Sequence, residues 1–354
     1  MGNLLTYSGL TTKVRAMESR FLTKQQFSEL AALSTVGEAL DFIKSQPAYA
    51  DLLAGADSTI HRSDLEKLLI LSRYRDFEKL YRFSGPEPRK FLNLYISTFE
   101  ISLLKRCLRN IAHPEEGSSD LSAFQDFFAA HSRLDVAKLT AASTVGELTA
   151  ALADTPYYSL FSKLEEGEEV SLFDYEMQLD LHHFKWVWKI KDKFTNKDER
   201  NTLTQCFGSK LDLLNIQWIY RSKKYYHLEP ADIYSLLIPV NYRLKQDEIT
   251  KLAEAGNLDE FFTILAGTHY GALSRTDLRI TPDLEALYEQ VMNRIYSMTA
   301  RKHPYSAAVL NSYFYFKNLE IHRLITAIEC IRYGVDPNKI LSYIIKDTKG
   351  GNGK

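Results

Sequence analysis

The chain has little of what chemistry most often requires. It holds only three cysteines, Cys107, Cys206 and Cys330, in 354 residues. An odd number without ligand spacing argues against a disulfide framework and a cysteine-rich zinc site, and suits a reducing compartment. Net charge is nearly absent as well: 44 Lys and Arg face 45 Asp and Glu, leaving −1. That disfavours a nucleic-acid binder, which neutralises phosphates with a basic surface. No apolar run approaches the roughly 18–20 residues that span a bilayer, and no secretory leader is expected at the start. Met1-Gly2-Asn3-Leu4-Leu5-Thr6 fits only the loose myristoylation pattern. The expectation is a cytoplasmic protein that its own sequence does not anchor to a membrane.

Catalytic signatures are missing too. There is no H-E-x-x-H zinc helix, no G-x-S-x-G elbow and no G-x-G-x-x-G turn. Gly350-Gly351-Asn352-Gly353-Lys354 looks like a phosphate loop, but no Ser or Thr follows the lysine and no strand precedes it. His182-His183 with Glu176 and Asp180 supplies too few convergent ligands for a metal. These residues read as the polar face of a helix whose other side carries Phe184, Trp186, Val187 and Trp188. His322 beside Glu320 reads as a helix-surface pair. No catalytic, cofactor-binding or metal-ligating residue is expected.

What is present is a repeat. Ser34-Thr35-Val36-Gly37-Glu38 returns as Ser143-Thr144-Val145-Gly146-Glu147, and the following residues stay in phase: Ile43 with Leu152, Pro47 with Pro156, Tyr49 with Tyr158, Leu52 with Phe161. A fainter copy starts at Asn257-Leu258-Asp259-Glu260. In the pentapeptide Val36 and Val145 read as core, and Gly37 and Glu38 as a helix start. One supersecondary unit used three times is more often a surface for partners than a catalytic pocket.

The dominant period is helical. Leu92, Tyr95, Ile96, Phe99, Leu103, Cys107, Leu108 and Ile111 fall on one stripe, as do Leu284, Leu287, Tyr288, Val291, Ile295 and Met298. Thr281-Pro282 suggests an N-cap followed by proline, and Asn196-Lys197-Asp198-Glu199 a capping box. Alternating β-branched runs are lacking, so the fold class is all-α. Each unit is expected to end in a hairpin of two long helices, broken at Ser84-Gly85-Pro86-Glu87-Pro88, at Phe194-Thr195-Asn196 and at His303-Pro304. The second long helices align through Tyr95…Glu100, Phe207…Asp212 and Tyr315…Glu320. The recurring acid reads as an exposed flank or an intra-chain ion pair, with a shared partner contact as the sharper alternative. The expected division is 1–115, 116–230 and 231–346, with a linker at His113–Ser119 and a frayed tail over 347–354.

The aromatic load of 21 Tyr, 19 Phe and 3 Trp includes runs such as Tyr313-Phe314-Tyr315-Phe316 and Tyr225-Tyr226-His227. One helical face cannot hide them all, so they are expected to pack between units and in part to form interface.

The stretch from Tyr315 to Ile331, with Lys317, Glu320-Ile321 and Glu329-Cys330-Ile331, resembles the C-terminal signature of one family. It is similar to the central-stalk C subunits of V/A-type rotary ATPases, the counterparts of the d subunit in the eukaryotic vacuolar enzyme. The likeness extends to the triplication, the length and the opening helix with Tyr7, Val14 and Arg15. The resemblance implies a funnel of three similar helical subdomains with approximate threefold symmetry. It further implies a non-catalytic rotor part, peripheral on the cytosolic face of a membrane, that joins the central axle subunits to the membrane rotor ring. Such a part would transmit torque between ATP chemistry and H⁺ or Na⁺ movement, with no cofactor. Arg15 and Lys317 are the nominated charged partner contacts and Tyr7 the aromatic one. A helical scaffold or adaptor unrelated to a rotary motor is the other reading, although the shift of 109 residues exceeds the ~33–47 of common helical solenoids. A metal-dependent hydrolase around His182 and His183 comes third.

Overall fold

The structure, a computed structural model, describes residues 2–57, 60–114, 120–165, 171–194 and 196–345. Every regular element among them is helical. The first stretch runs α1 (Gly2–Glu18), α2 (Lys24–Ala31), α3 (Val36–Lys44), α4 (Ala50–Leu53), α5 (Arg62–Phe83) and α6 (Pro86–Ala112). The second runs α7 (Gln125–His131), α8 (Val136–Ala141), α9 (Val145–Ala151), α10 (Tyr158–Glu165), α11 (Leu172–Ile190) and α12 (Lys197–Arg221). The third runs α13 (Pro230–Leu236), α14 (Gln246–Glu254), α15 (Leu258–Ala266), α16 (Leu284–Lys302) and α17 (Ala307–Arg332), followed by α18 (Pro337–Ile344). Of the expected features, the linker from 115 to 119, Thr195, the tail and the loop-like Gly350–Lys354 lie outside the described residues, as do Met1 and the side chains of Gly2 and Asn3.

The repeated pentapeptide is a helix-starting device. The Thr35 hydroxyl accepts from the Glu38 amide, and Glu38 accepts in return from the amides of Ser34 and Thr35. Thr144 and Glu147 do the same at α9, where Glu147 takes the Ser143 amide; at α15 Asn257 caps Glu260, whose carboxylate takes the Gly256 amide. Each reciprocal pair satisfies amides that a helix start leaves without partners. The helices so started bury equivalent positions: Ala39, Leu40 and Ile43; Leu148, Thr149 and Leu152; Phe261, Phe262 and Leu265. Val36 and Val145 are half-buried against the same cores.

Both expected proline breaks separate long helices. Pro86 opens α6 at a position where no amide donor is needed, with Gly85 as N-cap, and Pro304 stands between α16 and α17. Two expected caps differ. The cap of α16 is Asp283, accepting from the Ala286 amide, so the helix starts beyond Thr281-Pro282 because the later carboxylate is the better acceptor. Asn196 caps α12 as expected, yet Glu199 does not reach back; its carboxylate binds Tyr7 and the Ala307 amide instead.

The expected stripe on α6 is too narrow a description. Phe91, Leu94, Ile101 and Leu104 are buried as well as Leu92, Phe99, Leu103, Cys107 and Leu108, so the helix is apolar nearly all round and lies inside. The aligned aromatics Tyr95 of α6, Phe207 of α12 and Tyr315 of α17 line one cavity of about 90 Å³ where these helices meet. The Tyr313–Phe316 run is consumed there and beside it: Phe314 stacks on Tyr95 at 4.4 Å between ring centroids and Tyr315 on Tyr296 at 4.2 Å. Tyr225 and Tyr226, in the turn Ser222–Tyr226 that follows α12, stay exposed.

The cores cut across the expected sequence divisions. Leu30, Leu40, Ile43 and Leu69 of the first stretch share a core with Leu324, Ile328, Ile331 and Ile340 near the other end of the chain. Ile216 and Ile219 of α12 pack with Ile249, Leu252 and Phe261 of the following stretch. Leu104 and Leu108 of α6 likewise pack with Leu148, Leu152 and Phe161. The short helices of one stretch thus rest on the long helix of another.

Candidate functional site

The recurring acid of the second long helix is a hydrogen-bond acceptor within the fold in all three copies, buried at Asp212 and Glu320 and half-buried at Glu100. On α6, Glu100 accepts from the Tyr157 hydroxyl at 2.8 Å and from the Ser132 hydroxyl at 2.5 Å. On α12, Asp212 accepts from the Tyr270 hydroxyl at 2.7 Å and from the amides of Tyr242, Arg243 and Leu244. On α17, Glu320 accepts from the Tyr49 hydroxyl at 2.5 Å and from the Leu22 amide at 2.7 Å. Each tyrosine follows the capped short helix of its own stretch. A phenol suits the place, since its ring fills the core while its hydroxyl reaches a polar partner. The second joint corrects the sequence register: Tyr157 occupies the place of Tyr49, whereas the expected Tyr158 is 42% exposed. Pro156 directly precedes Tyr157, while Ala48 separates Pro47 from Tyr49. The short gap shifts the buried ring by one residue.

The connectivity of these joints is cyclic. Tyr157 of the second stretch reaches back to α6 of the first, Tyr270 of the third to α12 of the second, and Tyr49 of the first to α17 of the third. The α12 joint is also tied through Asn215, which exchanges hydrogen bonds with the backbone of Ile238. Gly208 lets the Tyr242 ring close on the same helix, because a β-carbon there would stand 2.5 Å from its Cγ.

Among the described residues, the third joint differs from the other two in containing a buried cation. Lys317, 1% exposed, donates to the Tyr49 hydroxyl at 3.2 Å, stands 3.5 Å from Asp76 and 4.0 Å from Glu320, and lies over the Tyr49 ring. Asp76 in turn accepts from the Tyr313 hydroxyl at 2.7 Å. Burial pushes the Glu320 carboxyl above the usual range, although Lys317, Tyr49 and the Leu22 amide pull the other way. Burial likewise raises Asp212 against four hydrogen bonds that favour its charged form.

Of the three nominated contact residues, two lie inside. Lys317 belongs to the joint just described. Tyr7 is 2% exposed and donates to Glu199 at 2.7 Å, while Thr11 donates to the Pro304 carbonyl at 2.5 Å. These bonds fasten α1 to the starts of α12 and α17. A lysine or tyrosine with such partners is held in the fold. Arg15 is exposed on α1. Sequence reasoning missed Asp76 and Tyr157 and gave Glu199 only as part of a capping box; the in-phase acids were the available signal, and only the tertiary contacts identify their donors.

The His182–His183 cluster is taken up by packing against α6. Arg109 binds Glu176 and Lys105 binds Asp180, each at 2.7 Å, and His183 Nδ1 lies 3.2 Å from the Ser97 hydroxyl. Burial, reinforced by Lys210, His182 and Lys105, pushes His183 down to about 3 and keeps it neutral. Among the described residues, no group of three His, Cys, Asp or Glu could hold a metal, and no helix is long and apolar enough to cross a membrane. His322 is exposed while Glu320 is buried, so the two form no surface pair.

The sequence model of the ATP synthase (C/AC39) subunit family matches residues 10–343. The chain is similar to the A-type ATP synthase C subunit of Desulfurococcus sp. (strain SY), 28% identical over 344 residues that cover 94% of this chain and 89% of that one. It is similar over 348 residues to the corresponding A-type ATP synthase C subunit of Thermococcus kodakarensis, 24% identical, covering 96% of this chain and 90% of the relative. The A-type ATP synthase C subunit of Methanosarcina mazei is 27% identical over 334 residues, 90% of this chain and 87% of its own length. With nearly its whole length matched, the chain belongs to the ATP synthase (C/AC39) subunit family, the non-catalytic C subunits of A/V-type rotary ATPases.

Proposed function

We propose that the chain is the spacer of a rotary motor's central stalk, seated between the axle subunits and the membrane rotor ring. Its task is to pass torque between ATP chemistry and H⁺ or Na⁺ movement from a peripheral position on the cytosolic face. The observation that carries this reading is the cyclic set of joints, Tyr157 to Glu100, Tyr270 to Asp212 and Tyr49 to Glu320. It supports three repeats, over 1–115, 116–230 and 231–346, closed into a funnel of approximate threefold symmetry. A ring of like units offers like helix ends to a symmetric partner. Buried joints between the units resist shear, as a transmitter of torque must.

Arg15 is the proposed direct partner contact. Tyr7 and Lys317 serve the interface from within, by fixing α1 and α17. The test is reconstitution of the full chain with an axle subunit and a detergent-solubilised membrane ring from the same organism. A ternary complex with this chain between the other two is expected, weakened by Arg15→Glu. Failure to bind either component at micromolar concentration would overturn the proposal.

A further inference from the structure

A second feature lies on the seam that Lys317 closes. Beside the buried joint, α1, the turn after it, the Pro47–Leu52 segment, α5 and α17 enclose a pocket of about 270 Å³. Its polar lining is dominated by cations. Lys13 and Arg20 come from α1 and the turn that follows, Arg75 and Lys79 from α5, and the buried Lys317 from α17. The acids lining it are Asp51 and Asp76, and Asp76 already accepts from Tyr313 and pairs with Lys317 and Lys79. Among the described residues, no carboxylate lies within ion-pairing distance of Lys13, Arg20 or Arg75, although the chain as a whole has one more acid than base.

Like charges gathered in a concave site repel one another, and low-dielectric walls strengthen their joint field. An oxyanion relieves that cost. Two guanidinium forks present paired donors matched to phosphate oxygens, and lysines add point charges. The volume falls just below the roughly 300–1,000 Å³ of pockets for drug-sized molecules, so the occupant is compact. We propose that this pocket binds a compact multivalent oxyanion of the diphosphate class, held by Lys13, Arg20 and Arg75 over the floor formed by Lys317. Because the pocket joins the first and last stretches of the chain, its ligand fastens the seam from outside.

The shared chemistry, a clustered phosphate group, has two sources: a free diphosphate or a phosphorylated lipid headgroup. The first arm titrates sodium diphosphate into the full chain by calorimetry and follows Tm. A single site is expected, with Tm rising as the anion concentration rises, since the ligand binds only the folded chain. The second arm sediments the chain with phosphatidylcholine vesicles that carry phosphatidylinositol phosphate. Arg75→Ser and Lys13→Ser alter exposed side chains and remove like-charge repulsion, so the unliganded Tm is not lowered while binding weakens about tenfold or more for each. Binding in either arm that responds this way supports the site, and the responding arm names the source. No binding in both arms, or binding indifferent to the two substitutions, overturns it.

Discussion

The hydroxyl of Tyr49 donates at 2.5 Å to Glu320, across 271 positions of the chain. The same bond recurs twice more, but the three acids depend on it unequally. Asp212 keeps three backbone amides without Tyr270, and Glu100 keeps Ser132 without Tyr157. Glu320, 4% exposed, keeps the Leu22 amide and a distant Lys317 but lies out of reach of solvent, which the half-buried Glu100 still meets. Tyr49→Phe is therefore expected to cost about 2–3 kcal/mol, Tyr157→Phe less and Tyr270→Phe least. Urea unfolding of the three variants checks the order.

Lys317→Met leaves the buried Glu320 without its cation, while the partly buried Asp76 keeps Lys79 at 3.6 Å. Loss of one partner of a buried pair costs about 3–5 kcal/mol. The Glu320 carboxyl already sits above its ordinary value, and removal of Lys317 moves it further up. A group whose folded pKa is raised gives stability that is present below its unfolded pKa and lost as pH rises through the folded one. The variant is thus expected to lag wild type most at pH 7 and to recover on acidification toward the ordinary glutamate range. Unfolding curves at stepped pH read this directly; a deficit that grows as pH falls would contradict it.

His183 acts with the opposite sign. Its folded pKa is depressed to about 3 from 6.5, so its neutral form contributes stability above pH ~6.5 that is lost as pH falls toward 3. His183→Gln keeps a polar group near Ser97 but removes the titration. The variant is expected to show a flatter stability profile than wild type between pH 6 and 4. Histidine ring resonances followed by NMR give the microscopic value.

The helices and their hairpins were legible because proline, glycine and the Thr-x-x-Glu caps act locally, within a turn of the chain. The all-round burial of α6 was not, since Phe91 and Leu104 gain their partners from other stretches. The burial of Lys317, nominated as a partner contact, was hidden for the same reason. Asp76 and Tyr49 are brought beside it only by the tertiary fold. The joints were half legible: the in-phase acids announced three equivalent positions, but a one-residue gap between proline and tyrosine concealed Tyr157 behind Tyr158.

The proposed role has the chain couple two parts of a machine without doing chemistry itself. ATP-driven ion uptake into proteoliposomes, assembled with and without the chain, tests it most directly. Omission is expected to abolish ion uptake while the catalytic subunits continue to hydrolyse ATP, and adding the chain back to restore it. Undiminished ion uptake in its absence would contradict the account.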